Sequence, residues 1–68
     1  GWLNAEGVYT DYTYVAIWTP NGWANTAGSG GTNPFSLTIP YADGQELYIV
    51  YRLPTSGASV VVTEIIQH

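Results

Sequence analysis

The chain contains no cysteine and no lysine, and its basic side chains reduce to Arg52 and the terminal His68. Without cysteine there is no disulfide framework of the kind that small secreted domains use, and no thiolate nucleophile or ligand. Without lysine, and with a net charge of −4, the chain lacks the basic footprint that neutralises phosphates and dominates nucleic-acid affinity. The same deficit removes attraction to anionic lipid headgroups, and no apolar run approaches the roughly 20 residues of a spanning helix. Gly1-Trp2-Leu3-Asn4 has neither the charged start nor the apolar stretch of a signal peptide, so compartment is read from composition alone. The expectation is a protein of the cell exterior or cell surface with no nucleic-acid and no membrane partner.

Catalytic chemistry finds little to work with. A nucleophile needs a positioned base beside it, and the lone His68 ends the chain, where it is expected to fray. The carboxylates are Glu6, Asp11, Asp43, Glu46 and Glu64, and a glycoside acid-base pair would need two of them in a deep cleft, for which 68 residues leave no room. Only Asp43 and Glu46 fall within one turn, and Asp43-Gly44 reads as turn chemistry rather than a calcium loop. Gly28, Gly30 and Gly31 sit between strand-like segments without the strand-glycine-helix context of a phosphate cradle. The expected reading is no catalytic residue, no metal ligand and no cofactor.

What is present is β chemistry. Hydrophobic residues make up 46% of the chain and charged residues 9%, with three Trp, six Tyr and one Phe, a composition that folds rather than one that stays disordered. Val8 to Thr19 is crowded with β-branched and aromatic residues and reads as one long strand. Period-2 sorting places Tyr12, Tyr14, Ala16 and Trp18 on one face, and Thr13, Val15, Ile17 and Thr19 on the other. Pro20-Asn21-Gly22 predicts a hairpin with Asn21-Gly22 at the centre of a type I′ turn, and Trp23 to Ala27 returns. Gly28 to Asn33 reads as the most mobile loop.

Phe35, Leu37 and Ile39 alternate with polar residues between Pro34 and Pro40. A further strand, Glu46 to Leu53, presents Leu47, Ile49, Tyr51 and Leu53 inward; Pro54 to Gly57 predicts a second hairpin turn, and Ser59 to Gln67 forms the last strand. Leu3 to Gly7 is a candidate sixth. The expected core is Phe35, Leu37, Ile39, Leu47, Ile49, Val60 and Val62. No segment carries a 3.6-residue period, and no internal repeat is visible. The fold class that follows is all-β: one domain over residues 1–68, built as a small antiparallel β-sandwich of the Ig-like kind or a partly open barrel of five to six strands.

The order Tyr14-Val15-Ala16-Ile17-Trp18-Thr19-Pro20-Asn21-Gly22, a Gly-rich stretch, Asn33-Pro34-Phe35-Ser36-Leu37-Thr38-Ile39-Pro40 and Ala42-Asp43-Gly44-Gln45-Glu46-Leu47-Tyr48-Ile49-Val50 resembles the bacterial Ig-like repeats of surface adhesins. The resemblance covers residues 14 to 51. It implies a noncatalytic extracellular sandwich, one strand short, that a donated strand would complete.

The aromatic residues carry the sharpest functional signal. Tyr12, Tyr14, Trp18, Asn21 and Trp23 cluster around the predicted hairpin and form the candidate binding or assembly set. Such rings fill a core, pack between identical copies, or form a flat platform on which a glycan stacks, with Asn21, Asn25 or Asp11 supplying hydrogen bonds. A chain of this length buries only about 60% of its unfolded surface, and here no lysine guards the strand edges. The expected function is therefore a noncatalytic structural or adhesive subunit that self-associates through strand edges or an aromatic face into a homo-oligomer or filament; the alternative is a small carbohydrate-binding module that uses a Trp/Tyr platform.

Overall fold

The computed structural model describes residues 1–26 and 29–68. Six strands are formed among them: β1 (Trp2–Thr10), β2 (Tyr14–Thr19), β3 (Gly22–Thr26), β4 (Thr32–Pro40), β5 (Tyr48–Arg52) and β6 (Val60–Gln67). They make two three-stranded sheets with the orders β4-β1-β6 and β3-β2-β5, and every pairing is antiparallel. The all-β class is as the sequence predicts, and the described residues contain no helix.

The long strand expected over Val8 to Thr19 is two strands. Asp11 and Tyr12 adopt φ of 50° and 64°, and the Thr13 amide donates to the Thr10 carbonyl at 3.2 Å, so the chain turns a corner and passes from one sheet to the other. Local β propensity yields here to the need to bury two faces against each other. The candidate strand at Leu3 to Gly7 is real and belongs to β1, the centre of its sheet. His68 is not frayed: its amide donates to the Trp2 carbonyl at 2.7 Å, and the Trp2 amide donates to the His68 carbonyl at 2.8 Å.

The β2–β3 hairpin forms, but Pro20 and Asn21 occupy its centre and Thr19 pairs with Gly22. Pro20 cannot take the positive φ of a type I′ turn and Asn21 does not take it, so the expected type I′ turn is not formed; in this hairpin only Gly22, beyond the two central residues, has a positive φ, at 140°. Ala27 and Gly28, assigned by the sequence reading to the end of the return strand and the start of the mobile loop, lie outside the described residues; Thr32 and Asn33 belong to β4 rather than to that loop. Pro34 and Pro40 sit within β4, which tolerates them because it is an edge strand. Pro54 to Gly57 does not make a hairpin. It carries the chain from β5 in one sheet to β6 in the other, with Gly57 at φ 90°.

Leu3, Ala5, Tyr9, Val15, Ile17, Phe35, Leu37 and Ile39 form the core between the sheets. Leu47, Ile49 and Val60 are partly buried against it, whereas Val62, Tyr51 and Leu53, expected inside, are exposed. The correction has one cause. The layers approach most closely where β4 lies beside β3 and β2, while the inward-directed Tyr51, Val62 and Ile65 on the other flank are left in water. Ile49 pairs with buried Ile17 and Tyr51 with buried Val15, which gives both an inward direction; Val62 pairs with Gly7 and Ile65 with Ala5. Pointing inward is therefore not enough to bury these side chains on that flank.

Candidate functional site

The outer face of sheet β3-β2-β5 carries the candidate site. Residues directly opposite across a ladder share a face, so Trp18, paired with Trp23 on one side and Tyr48 on the other, is the middle of a row of three aromatic side chains. Trp23 is 60% exposed, Trp18 40% and Tyr48 54%. The Trp18 and Tyr48 rings lie 5.6 Å apart between centroids and are tilted by 49°, a favourable edge-inclined geometry. The next row is Asn25, Ala16 and Val50, and the one after it brings Tyr14 beside Arg52. Ala16 is buried although it faces outward.

This arrangement follows from alternation on β2. Val15, Ile17 and Thr19 point into the core and are fully buried or nearly so, which leaves Tyr14, Ala16 and Trp18 for the outside. Thr13 and Thr19 are buried hydroxyls with partners: Thr13 Oγ1 donates to the Thr10 carbonyl, and Thr19 Oγ1 donates to the Pro40 carbonyl at 3.4 Å. These bonds fasten both ends of β2 to the other sheet. The platform therefore sits on a fixed strand.

Of the five candidate residues, three share this face: Tyr14, Trp18 and Trp23. Tyr12 does not. It belongs to the β1–β2 corner, where its amide donates to the Ser29 carbonyl at 2.9 Å and its ring stands over Gly30. Asn21 is a strut in the hairpin loop: its Nδ2 donates to Gln45 Oε1 at 2.9 Å, an oxygen that also accepts from the Ala42 amide at 2.8 Å. Tyr48 and Val50 complete the face and were missed, because the sequence shows them as the outward half of an unrelated strand. Only the pairing of β5 with β2 brings them beside Trp18.

The outer face of the other sheet is different in kind. Asn4 Oδ1 accepts from Ser36 Oγ at 3.0 Å and from Thr38 Oγ1 at 2.8 Å, while its Nδ2 donates to Glu6 Oε1 at 3.0 Å. Glu6 stands opposite Glu64 on this face, which also carries the exposed side chains of Trp2 and Val61. Nearby is a shallow hollow of about 460 Å³ lined by Glu6, Gly7, Pro34, Phe35, Ser36 and Thr63. Among the described residues no three of His, Cys, Asp and Glu gather where they would hold a metal ion. No family model, curated protein or solved structure matches this chain.

Proposed function

We propose that the chain is a noncatalytic structural or adhesive β-sandwich subunit of the cell exterior that self-associates, with its aromatic face as a contact surface. The observation that carries this reading is the row Trp23-Trp18-Tyr48, three large rings side by side and about half exposed, on a sheet face continued by Val50. Contiguous apolar surface of this kind marks interaction sites, because leaving it in water forfeits the free energy of burial. On the opposite sheet the outer face is interrupted by hydrogen-bonded Asn4, Ser36 and Thr38 and by Glu6 and Glu64, so its exposed Trp2 and Val61 stand apart and form no comparable row. The resemblance of residues 14–51 to adhesin repeats points the same way.

The test is sedimentation across a concentration series for the native chain and for Trp18→Glu. Association of the native chain that the variant weakens at least tenfold, with an unchanged β spectrum, supports the proposal; a native chain that is monomeric at all concentrations sinks it. A second reading is favoured by Asn25, Tyr14 and Arg52 beside the rings, which offer hydrogen bonds to hydroxyl-rich ligands. In that reading the rings stack on a glycan. Binding of soluble β-glucans, xylans or mannans by a monomer, lost in Trp18→Glu, would select it.

A further inference from the structure

We infer that the aromatic face of one chain is covered by the outer face of sheet β4-β1-β6 of the next, so that copies stack head to tail. The inference rests on the reading of the chain as a self-associating subunit and names the surface that the rings meet. Two features carry it: the division of charge between the two outer faces, and the apolar side chains set around the charge on each.

The ladder rows of the aromatic face contain one charged residue, Arg52, which in a chain without lysine is also the one arginine. No carboxylate stands in those rows. Glu46 comes nearest in sequence, but it precedes β5, beyond Tyr48 and at the end away from Arg52. The other outer face has the opposite sign. Glu6, the middle residue of the central strand β1, stands directly across from Glu64, and the three strands of that sheet contain no arginine and no lysine. Like charges so placed repel, and a cation brought between them relieves the repulsion.

This distribution decides which surfaces meet. Two aromatic faces packed on each other would shut Arg52 among rings and Val50 with no carboxylate from either set of rows, and would leave the acid pair uncompensated. Stacked head to tail, Arg52 of one copy reaches Glu6 and Glu64 of the next, and a single contact answers both needs. Charge complementarity of this kind selects the partner surface more than it adds affinity.

The affinity comes from apolar contact on both sides. Along the strands the acid pair is bordered by Trp2 at one end and by the row Pro34-Val8-Val61 at the other, with Trp2 and Val61 each 55% exposed. The hollow lined by Glu6, Pro34, Phe35 and Ser36 indents this face beside the acids, whereas the aromatic face presents half-exposed rings. The two faces lie on opposite sides of the core, so the contact is heterologous. Each added copy still offers a free aromatic face or a free acid face, and the stack grows as a filament.

The experiment is sedimentation of the native chain over a concentration series, then of the charge-reversed variants Arg52→Glu and Glu64→Arg, alone and in equimolar mixture. Both positions are exposed, and Glu64→Arg sets an opposite charge across from Glu6, so neither change disturbs the core. The native mass is expected to rise past that of a dimer. Each variant alone is expected to associate about tenfold or more weakly, because like charges then meet across the contact. Mixing the two restores association: the reversed face of Arg52→Glu fits the reversed face of Glu64→Arg, and the remaining two faces are native. Far-ultraviolet spectra and thermal transitions check the folding of each variant, and the native mass needs no variant at all. A native mass that stops at the dimer, or a Glu64→Arg chain that associates as the native chain does, overturns the head-to-tail contact and leaves self-association standing. A mixture as weak as its components overturns the pairing of Arg52 with the acids. A native protein that never associates overturns both this contact and the reading beneath it.

Discussion

Gly7 lies against the carbonyl oxygen of Val61 so closely that a side chain at this position would overlap it. The Phe35 ring is also 2.9 Å from where a Cβ would stand. The close approach occurs where the β1–β6 ladder slips by one residue, between Glu6 and Gly7. Gly7 has no positive φ to explain it. Its role is to let β6 come near, so Gly7→Ala should destabilise by about 2–3 kcal/mol through overpacking. A chemical-denaturation midpoint equal to that of the native chain would show that β6 can shift without cost.

Core and flank should respond differently to the same truncation. Leu37→Ala removes a buried side chain between the layers and should cost about 2–5 kcal/mol. Leu53→Ala, on the open flank, should change stability by less than about 0.5 kcal/mol at concentrations where the chain is monomeric. Paired urea titrations separate the two, and equal losses would mean that the flank is closed within one chain.

Tyr12 holds a left-handed backbone conformation at φ 64°, which costs an L-residue about 1–2 kcal/mol. Glycine takes that conformation freely, so Tyr12→Gly should leave the melting temperature unchanged or raise it, even after the greater freedom glycine gives the unfolded chain. It should also leave association unchanged, since Tyr12 is off the aromatic face. A drop of several degrees would assign the Tyr12 ring over Gly30 a larger share of stability than the backbone strain.

Asn21→Ala should act on stability and not on binding. It removes the hydrogen bond to Gln45 that ties the β2–β3 hairpin to the β4–β5 connection, an exposed bond contributing about 0.5–1 kcal/mol. For a domain of this size that is a fall of roughly 2–8 °C in Tm. Weakened association or glycan binding at unchanged Tm would instead return Asn21 to the contact surface.

Alternation is enough to identify Phe35, Leu37 and Ile39 as buried and to split β2 into a core-facing set and a set led by Trp18, because side-chain direction in a strand has period two whatever the partner. Composition is enough to make the chain all-β. The turn residues mark most of the reversals as well, Gly44 and Gly57 among them, since only they take the positive φ found there. What the tertiary structure alone decides is which strands become neighbours. Pro54 to Gly57 looks like a hairpin turn locally, yet the chain crosses between sheets there, and Val8 to Thr19 looks continuous but bends at Asp11-Tyr12. Tyr48 joins Trp18 through the β2–β5 ladder, 30 positions along the chain, a contact no local pattern encodes. Val62 and Ile65 are as apolar as Val15 and Ile17 and also point inward, but they remain in water because burial depends on how the two layers pack and not on side-chain direction alone.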